Sequence, residues 1–157
     1  MKSLIIYYSF EGGTRLIAET MAKKLEADLL ELKPEKEIKT RGFLKYFWGG
    51  RQVMMKIAPK LLPLGKNPDD YELIIIGTPV WAFNYAPPLR TFFSQIKLAN
   101  KRLALFCVHE GNFGKTLENM KQELKGNDIL SETDFIDVAK NPEANIKKAG
   151  EWLEKIL

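Results

Sequence analysis

Hydrophobic positions along the chain fall into two alternating patterns: short continuous apolar runs, and longer stretches in which apolar residues recur at helical spacing. Leu4-Ile5-Ile6-Tyr7-Tyr8 is rich in β-branched and aromatic residues and predicts a strand buried on both faces. Gly12-Gly13 follows, then Thr14 to Leu25. There Ile17, Met21 and Leu25, with Ala18 and Ala22, share one helical face, while Glu19, Lys23 and Lys24 lie elsewhere. Asp28 to Leu32 reads as a short second strand, ended by Pro34. Leu73-Ile74-Ile75-Ile76-Gly77 and Leu103-Ala104-Leu105-Phe106-Cys107-Val108 are two further buried runs. Helical patterns follow each, over Pro88 to Ile96 and over Lys115 to Leu124, and a weaker strand is expected at Asp134 to Val138. The last helix is expected to open on Asn141 as N-cap, with Pro142 at its first position and Glu143 in its first turn. Its apolar face is Ile146, Ala149, Leu153 and Ile156.

Apolar strands buried on both faces, each followed by a helix, predict an α/β fold: a three-layer sandwich around a five-stranded parallel sheet. Right-handed crossovers leave few topologies for it. The 157 residues fit a single domain spanning 1–157, with no internal repeat or low-complexity linker. In such a sheet ligands sit at the carboxyl ends of the strands. The loops of interest are therefore Ser9 to Gly13, Thr78 to Pro88 and His109 to Gly114.

Composition narrows the function classes. Hydrophobic residues make up 45% and charged residues 28%, the balance of a soluble globular protein. No apolar run approaches the roughly 20 residues that span a bilayer, so membrane contact is not expected. Met1-Lys2 leads straight into the first strand without a small-residue cleavage site, which argues against a secretory signal and for the cytoplasm. The single cysteine, Cys107, excludes a disulfide framework, and the single histidine, His109, excludes a multi-histidine metal site. The net charge is +4, but Lys and Arg are scattered and not interleaved with aromatics, which argues against nucleic acid. Mild basicity favours an anionic cofactor or an acidic partner through long-range steering.

The first loop, Ser9-Phe10-Glu11-Gly12-Gly13-Thr14, lies between a buried strand and a helix. Its glycines permit positive φ and bare backbone N–H groups, Ser9 and Thr14 offer hydroxyls, and the helix adds about half a positive charge. These features suit a phosphate held without a lysine, or else a plain tight turn capped by Thr14. The second loop carries Trp81, Phe83 and Tyr85 between prolines, suited to stacking on a flat ring or to folding back on the core. In the third, Gly111, Asn112 and Phe113 offer backbone and amide hydrogen bonds to a ring edge and a second aromatic wall. Gly114-Lys115-Thr116 ends like a P-loop, but the first glycine of that motif falls on His109, so triphosphate hydrolysis is not expected.

A phosphate cradle, an aromatic wall and a polar ring-edge loop together describe a site for flavin mononucleotide (FMN). Tyr7 to Thr14 resembles the phosphate loop of the flavodoxin-like family, and Gly77-Thr78-Pro79-Val80-Trp81 resembles its flavin loop. The resemblance covers nearly the whole chain and implies strand order 2-1-3-4-5 with FMN at the carboxyl edge. It implies that Ser9, Phe10, Glu11, Gly12, Gly13 and Thr14 surround the phosphate. Thr78, Pro79, Val80, Trp81 and Asn84 would face the ring, with His109, Gly111, Asn112 and Phe113 completing the pocket. Three departures stand out. Glu11 replaces a frequent hydroxyl residue, so its side chain is expected in solvent, with only its N–H toward the phosphate. Gly13 replaces a common Asn. Ala82 stands where many flavodoxins place a glycine whose peptide turns toward the reduced ring, and a Cβ there makes positive φ costly.

Other residues have plainer readings. Asp69-Asp70 precedes the third strand and falls at the opposite edge, as a solvated turn. Cys107 reads as a core residue; His109 suits either a structural hydrogen bond or the pocket edge; Arg15 suits either solvent or the phosphate. The segment Arg41 to Lys56 reads first as a helix packed on the sheet, interrupted at Gly49-Gly50, or as a dimer contact or membrane-surface patch. Three functions follow from the resemblance: an FMN electron carrier between partner proteins, an NAD(P)H-dependent FMN or quinone reductase, or a non-catalytic flavin-binding module. The carrier comes first, because the short chain leaves little room for a nicotinamide pocket; Asn84, Tyr85 and Pro87-Pro88 are compatible with the reductase. Monomer and dimer both remain open.

Electron-carrying members of the family are typically acidic, and an acidic shell disfavours the anionic reduced flavin. The basic pI, about 9.1, therefore predicts a second reduction potential less negative than in acidic carriers. Potentiometric titration giving an equally low value would contradict this.

Overall fold

The computed structural model describes residues 1–36 and 58–157. The segment Arg41 to Lys56 lies outside the described residues. Along the chain come β1 (Ser3–Tyr7), α1 (Gly13–Leu25), β2 (Asp28–Glu31), a 3₁₀ turn (Pro68–Asp70), β3 (Leu73–Trp81) and β4 (Asn84–Tyr85). They are followed by α2 (Pro87–Gln95), β5 (Arg102–His109), α3 (Thr116–Glu123), β6 (Asp128–Ile136) and α4 (Pro142–Ile156). Five strands run parallel in the order β2-β1-β3-β5-β6, the order the resemblance implies once the short β4 is set aside. Registers such as Ile6 with Ile76, and Ile76 with Leu105, align the strand ends that carry the three loops.

Alternation along the strands divides the core into two layers. Ile5, Ile75, Ala104 and Phe106 point to one face, where Ile17, Ala18 and Met21 of α1 and Ala149, Trp152 and Leu153 of α4 cover them. Leu4, Ile6, Ile74, Ile76, Leu103, Leu105 and Cys107 point to the other, under Leu89, Phe92 and Phe93 of α2 and Leu117 and Met120 of α3. These strand residues are fully buried, each worth roughly 1.5–3 kcal/mol for a large aliphatic or aromatic side chain. This double cover explains why the strands read as unbroken apolar runs.

The structure departs from the expected elements in three places. The third strand does not end at Gly77 but runs to Trp81, and turns back through Ala82 and Phe83 into β4, pairing Val80 with Tyr85 and Trp81 with Asn84. The last strand begins at Asp128, six residues earlier than expected, and stops at Ile136, before Val138. Among the described residues it is an edge strand paired only with β5, so polar residues such as Ser131, Glu132 and Thr133 blur its pattern. Asn141 is the N-cap of α4 but makes no side-chain cap; instead Asn145 Nδ2 donates to the carbonyls of Ile136 and Asn141. Asp69 and Asp70 lie in the 3₁₀ turn ahead of β3, at the edge away from the three loops. Among the described residues, no helix is long and apolar enough to cross a membrane.

Gly77 is required by close approach. A Cβ built there would lie 2.0 Å from Cζ of Phe106, its register partner on β5. The Phe106 ring is itself held edge-on by Phe135 and Trp152, with centroids 5.8 and 6.4 Å away. Gly77→Ala is therefore expected to destabilise the fold by about 3 kcal/mol, the upper part of the overpacking range. Phe106→Leu in the same chain should recover part of that loss in urea denaturation; additive losses would contradict the contact.

Candidate functional site

A cavity of about 240 Å³ opens at the carboxyl ends of β1, β3, β5 and β6. Ser9, Phe10, Glu11, Gly13 and Thr14 form one wall; Pro79, Val80, Trp81 and Ala82 form the second. Val108, His109 and Glu110 form the third, and Asp137, Val138, Ala139 and Lys140 the fourth.

The first wall is built by an underfilled helix start. The first N–H groups of any helix lack intrahelical acceptors. Ser9 Oγ takes two of the N–H groups near the start of α1, accepting from Gly12 and Arg15 at 3.2 Å each. The N–H groups of Phe10, Gly13 and Thr14 meet no acceptor among the described residues. Thr14 is 2% exposed and lines the cavity, and its hydroxyl has no partner among the described residues. Gly12 sits at φ 99° as the N-cap, a conformation that favours glycine. At Gly13 a Cβ would come within 3.3 Å of Val108 Cγ1, so the glycine lets the third wall close on the first. Glu11 is exposed and lines the cavity. This donor set fits a phosphoryl group: bare amides, one hydroxyl and the positive end of a helix dipole.

The second wall is set by Trp81. Its indole meets Tyr8 edge-on at 5.7 Å and 85°, and Phe10 at 5.6 Å and 89°, tying the first loop to the β3–β4 hairpin. The hairpin tip is two residues long, with φ 49° at Ala82 and 61° at Phe83. Both are left-handed, as a type I′ turn requires, although neither is glycine or asparagine. The backbone thus takes the positive φ that Ala82 was expected to oppose, at about 1–2 kcal/mol per residue. Gly114 packs directly on the tip: a Cβ there would lie 2.6 Å from Phe83 Cβ and 3.0 Å from its carbonyl oxygen.

Several expected site residues are engaged elsewhere. Thr78 is fully buried; its Oγ1 donates to the Pro79 carbonyl and accepts from Ala86 N–H. Asn84 Oδ1 accepts from Tyr85 N–H and from Asn119 Nδ2. Asn112 Oδ1 accepts from Gly114 N–H, and Phe113 lies edge-on to His109 at 5.4 Å. None of these four, nor Gly12 or Gly111, lines the cavity. Arg15 turns away from the first loop to pair with Glu31. Cys107 is buried, and burial pushes its thiol up to about 12.

His109 makes both of the contacts its reading left open: it lines the cavity and is structurally bonded. Nε2 lies 2.7 Å from Asp134 Oδ2, and Nδ1 accepts from Gly111 N–H at 3.2 Å. Burial works against the Asp134 carboxylate, but the His109 hydrogen bond and the Lys148 charge outweigh it and hold the carboxyl below its ordinary range. Sequence reasoning missed Val108 and Glu110 and the whole fourth wall. Asp137, at φ 52°, ends β6 and turns Val138 to Lys140 toward the cavity. The available signal was positional, since the carboxyl end of the last strand belongs to the same sheet edge as the other three.

The fold and cavity define a doubly wound α/β protein with a cavity at the carboxyl edge of its sheet, where such folds hold their ligands. The chain belongs to the flavodoxin family, whose model matches residues 2–156. Among solved structures, a flavoprotein from Lactobacillus acidophilus in complex with FMN is 24% identical, with TM-score 0.74, covering 90% of this chain and 97% of that one. A protein from Bacteroides uniformis is 18% identical with TM-score 0.83, over 98% and 97% of the two chains. Oxidised flavodoxin 2 from Bacillus cereus is 17% identical with TM-score 0.64, over 99% and 97%. No curated protein matches the sequence.

The strain at the hairpin tip has a measurable sign. Ala82→Gly removes the left-handed penalty and returns part of it as unfolded-chain entropy, so thermal stability should rise by about 1 kcal/mol. An unchanged or lowered midpoint would contradict the left-handed backbone at Ala82.

Proposed function

We propose that this protein binds FMN in the four-walled cavity and carries electrons between partner proteins. The observation that carries the reading is the start of α1: three backbone N–H groups and the Thr14 hydroxyl, all without partners among the described residues, at one end of an aromatic-walled cavity. When bound, the isoalloxazine supplies reversible one- and two-electron transfer; the protein supplies binding, orientation and electrostatics. Phe10, Gly13 and Thr14 would hold the phosphate, helped by the helix dipole. Pro79, Val80, Trp81 and Val108 would flank the ring with apolar surface and exclude water. The Lactobacillus acidophilus flavoprotein, a complex with FMN on the same fold, supports the same cofactor here.

A specific observation favours the carrier over the reductase. The residues compatible with a nicotinamide pocket are part of the packing around β4. Asn84 is hydrogen-bonded to Asn119, and Tyr85 is 2% exposed with its hydroxyl 3.4 Å from Glu123 Oε1. Pro87 and Pro88 are buried in the first turn of α2.

The purified protein is expected to be yellow, to release FMN on denaturation, and to keep its flavin absorbance on anaerobic mixing with NADH or NADPH. Rapid bleaching by either would replace the carrier with the reductase. Thr14→Val, which keeps the side-chain shape and removes the hydroxyl, should weaken FMN binding by roughly tenfold or more, the loss of one hydrogen bond to a charged group. Riboflavin, which lacks the phosphate, should be unaffected in the same fluorescence titration. An equal loss for both flavins would contradict the placement of the phosphate.

A further inference from the structure

His109 lines the cavity, and its two ring nitrogens have partners that respond differently to a proton. Nε2 faces the Asp134 carboxylate at 2.7 Å, and a carboxylate accepts only, so Nε2 carries hydrogen. Nδ1 accepts the Gly111 N–H at 3.2 Å, so Nδ1 is bare. The ring is thereby fixed as the neutral Nε2–H tautomer. A proton added at Nδ1 would place a donor against the Gly111 donor, whereas the bond to Asp134 would survive and become charge-assisted. Asp134 therefore holds the ring in both charge states, while Gly111 is held in only one.

What Gly111 anchors is the segment between the third wall and the hairpin tip. Phe113 rests edge-on against the same imidazole at 5.4 Å, and Gly114 packs on the Phe83 backbone. Among the described residues, the charged groups near the ring are Asp134 on β6, Lys148 on α4 with Nζ 3.7 Å from Asp134 Oδ1, Glu110 next in the chain, and Asp137, Lys140 and Glu11 on the other cavity walls. The Asp134 carboxyl, held below its ordinary range, stays ionised throughout the range in which histidines change charge.

We propose that His109 is a proton-sensitive positioning residue. In its neutral Nε2–H form it holds the Gly111 amide to the cavity wall, and its protonation frees that amide while the ring stays on Asp134. The positional role stands on the geometry alone; its consequence for the ligand rests on the FMN reading.

The chain holds one histidine, so ¹⁵N labelling of the ring gives an unambiguous probe in the full protein. Near neutral pH, Nδ1 should show the shift of an unprotonated ring nitrogen and Nε2 that of a protonated one. Over a pH titration that protonates the ring, the exchange protection of the Gly111 amide should fall by roughly tenfold, as for the loss of one hydrogen bond. The fall should follow the midpoint of the ring. His109→Asn keeps an acceptor near the Nδ1 position and should hold Gly111 protection constant over the same titration. His109→Gln keeps a donor toward Asp134 but no acceptor for Gly111, and should show low protection at every pH. An Nδ1–H tautomer, or Gly111 protection that ignores the ring's titration, overturns the proposal. With FMN added, affinity should weaken on the same midpoint in the natural sequence and stay constant in His109→Asn; affinity without pH dependence overturns the link to the ligand. Failure of FMN to bind at any pH counts against the functional reading alone, since the amide measurements are made without it.

Discussion

Backbone N–H groups taken out of water must find an acceptor, and the start of α1 leaves three of them without one among the described residues. The rest of the cavity is arranged around that constraint. Ser9 takes two neighbouring N–H groups with a single oxygen, which shapes the loop without filling it. Gly12 and Gly13 let the turn reverse and let Val108 approach. Thr14 adds a hydroxyl from within the buried first turn. Arg15, the one cation in that turn, is paired with Glu31, so what that turn itself offers an anion is oriented dipoles.

The sheet makes this possible by separating what must be rigid from what must be open. Double cover by α1 and α4 on one side, and by α2 and α3 on the other, gives the strands their fully buried side chains. The parallel register then brings four loops to one edge. The Gly77–Phe106 contact shows how tightly this is set, since a ring occupies the space of a side chain one strand away. Loops on such a frame inherit its precision even where their own contacts are few.

This division also explains what was legible in the sequence. Strands covered on both faces announce themselves as apolar runs, so β1, β3 and β5 and the fold class could be read directly. The first loop was legible because its chemistry is local: glycines, hydroxyls and a helix start within six residues. The β3–β4 hairpin was not, because Ala-Phe carries none of the usual signals of a two-residue turn. The roles of Asn84 and Thr78 were not, because their partners Asn119 and Ala86 are supplied by tertiary and hairpin packing. β6 was placed late and short because an edge strand needs no unbroken apolar run. The fourth wall vanished with it, since Val138 had been assigned to the strand that Asp137 in fact ends.

The strained hairpin tip can be weighed against what it holds. Two left-handed residues without glycine cost about 2–4 kcal/mol together. The two edge-on contacts of Trp81, with Tyr8 and Phe10, contribute about 0.5–1.5 kcal/mol each beyond the area they bury. The hydrogen bonds of Asn84 to Asn119 and of Ala86 to Thr78 add roughly 1 kcal/mol each. These terms are of the same size as the strain, so the tip persists because residues on both sides of it are fixed by other elements. Holding Trp81 between two aromatic edges, with Gly114 pressed against the turn behind it, gives the cavity a wall set by the protein's own packing.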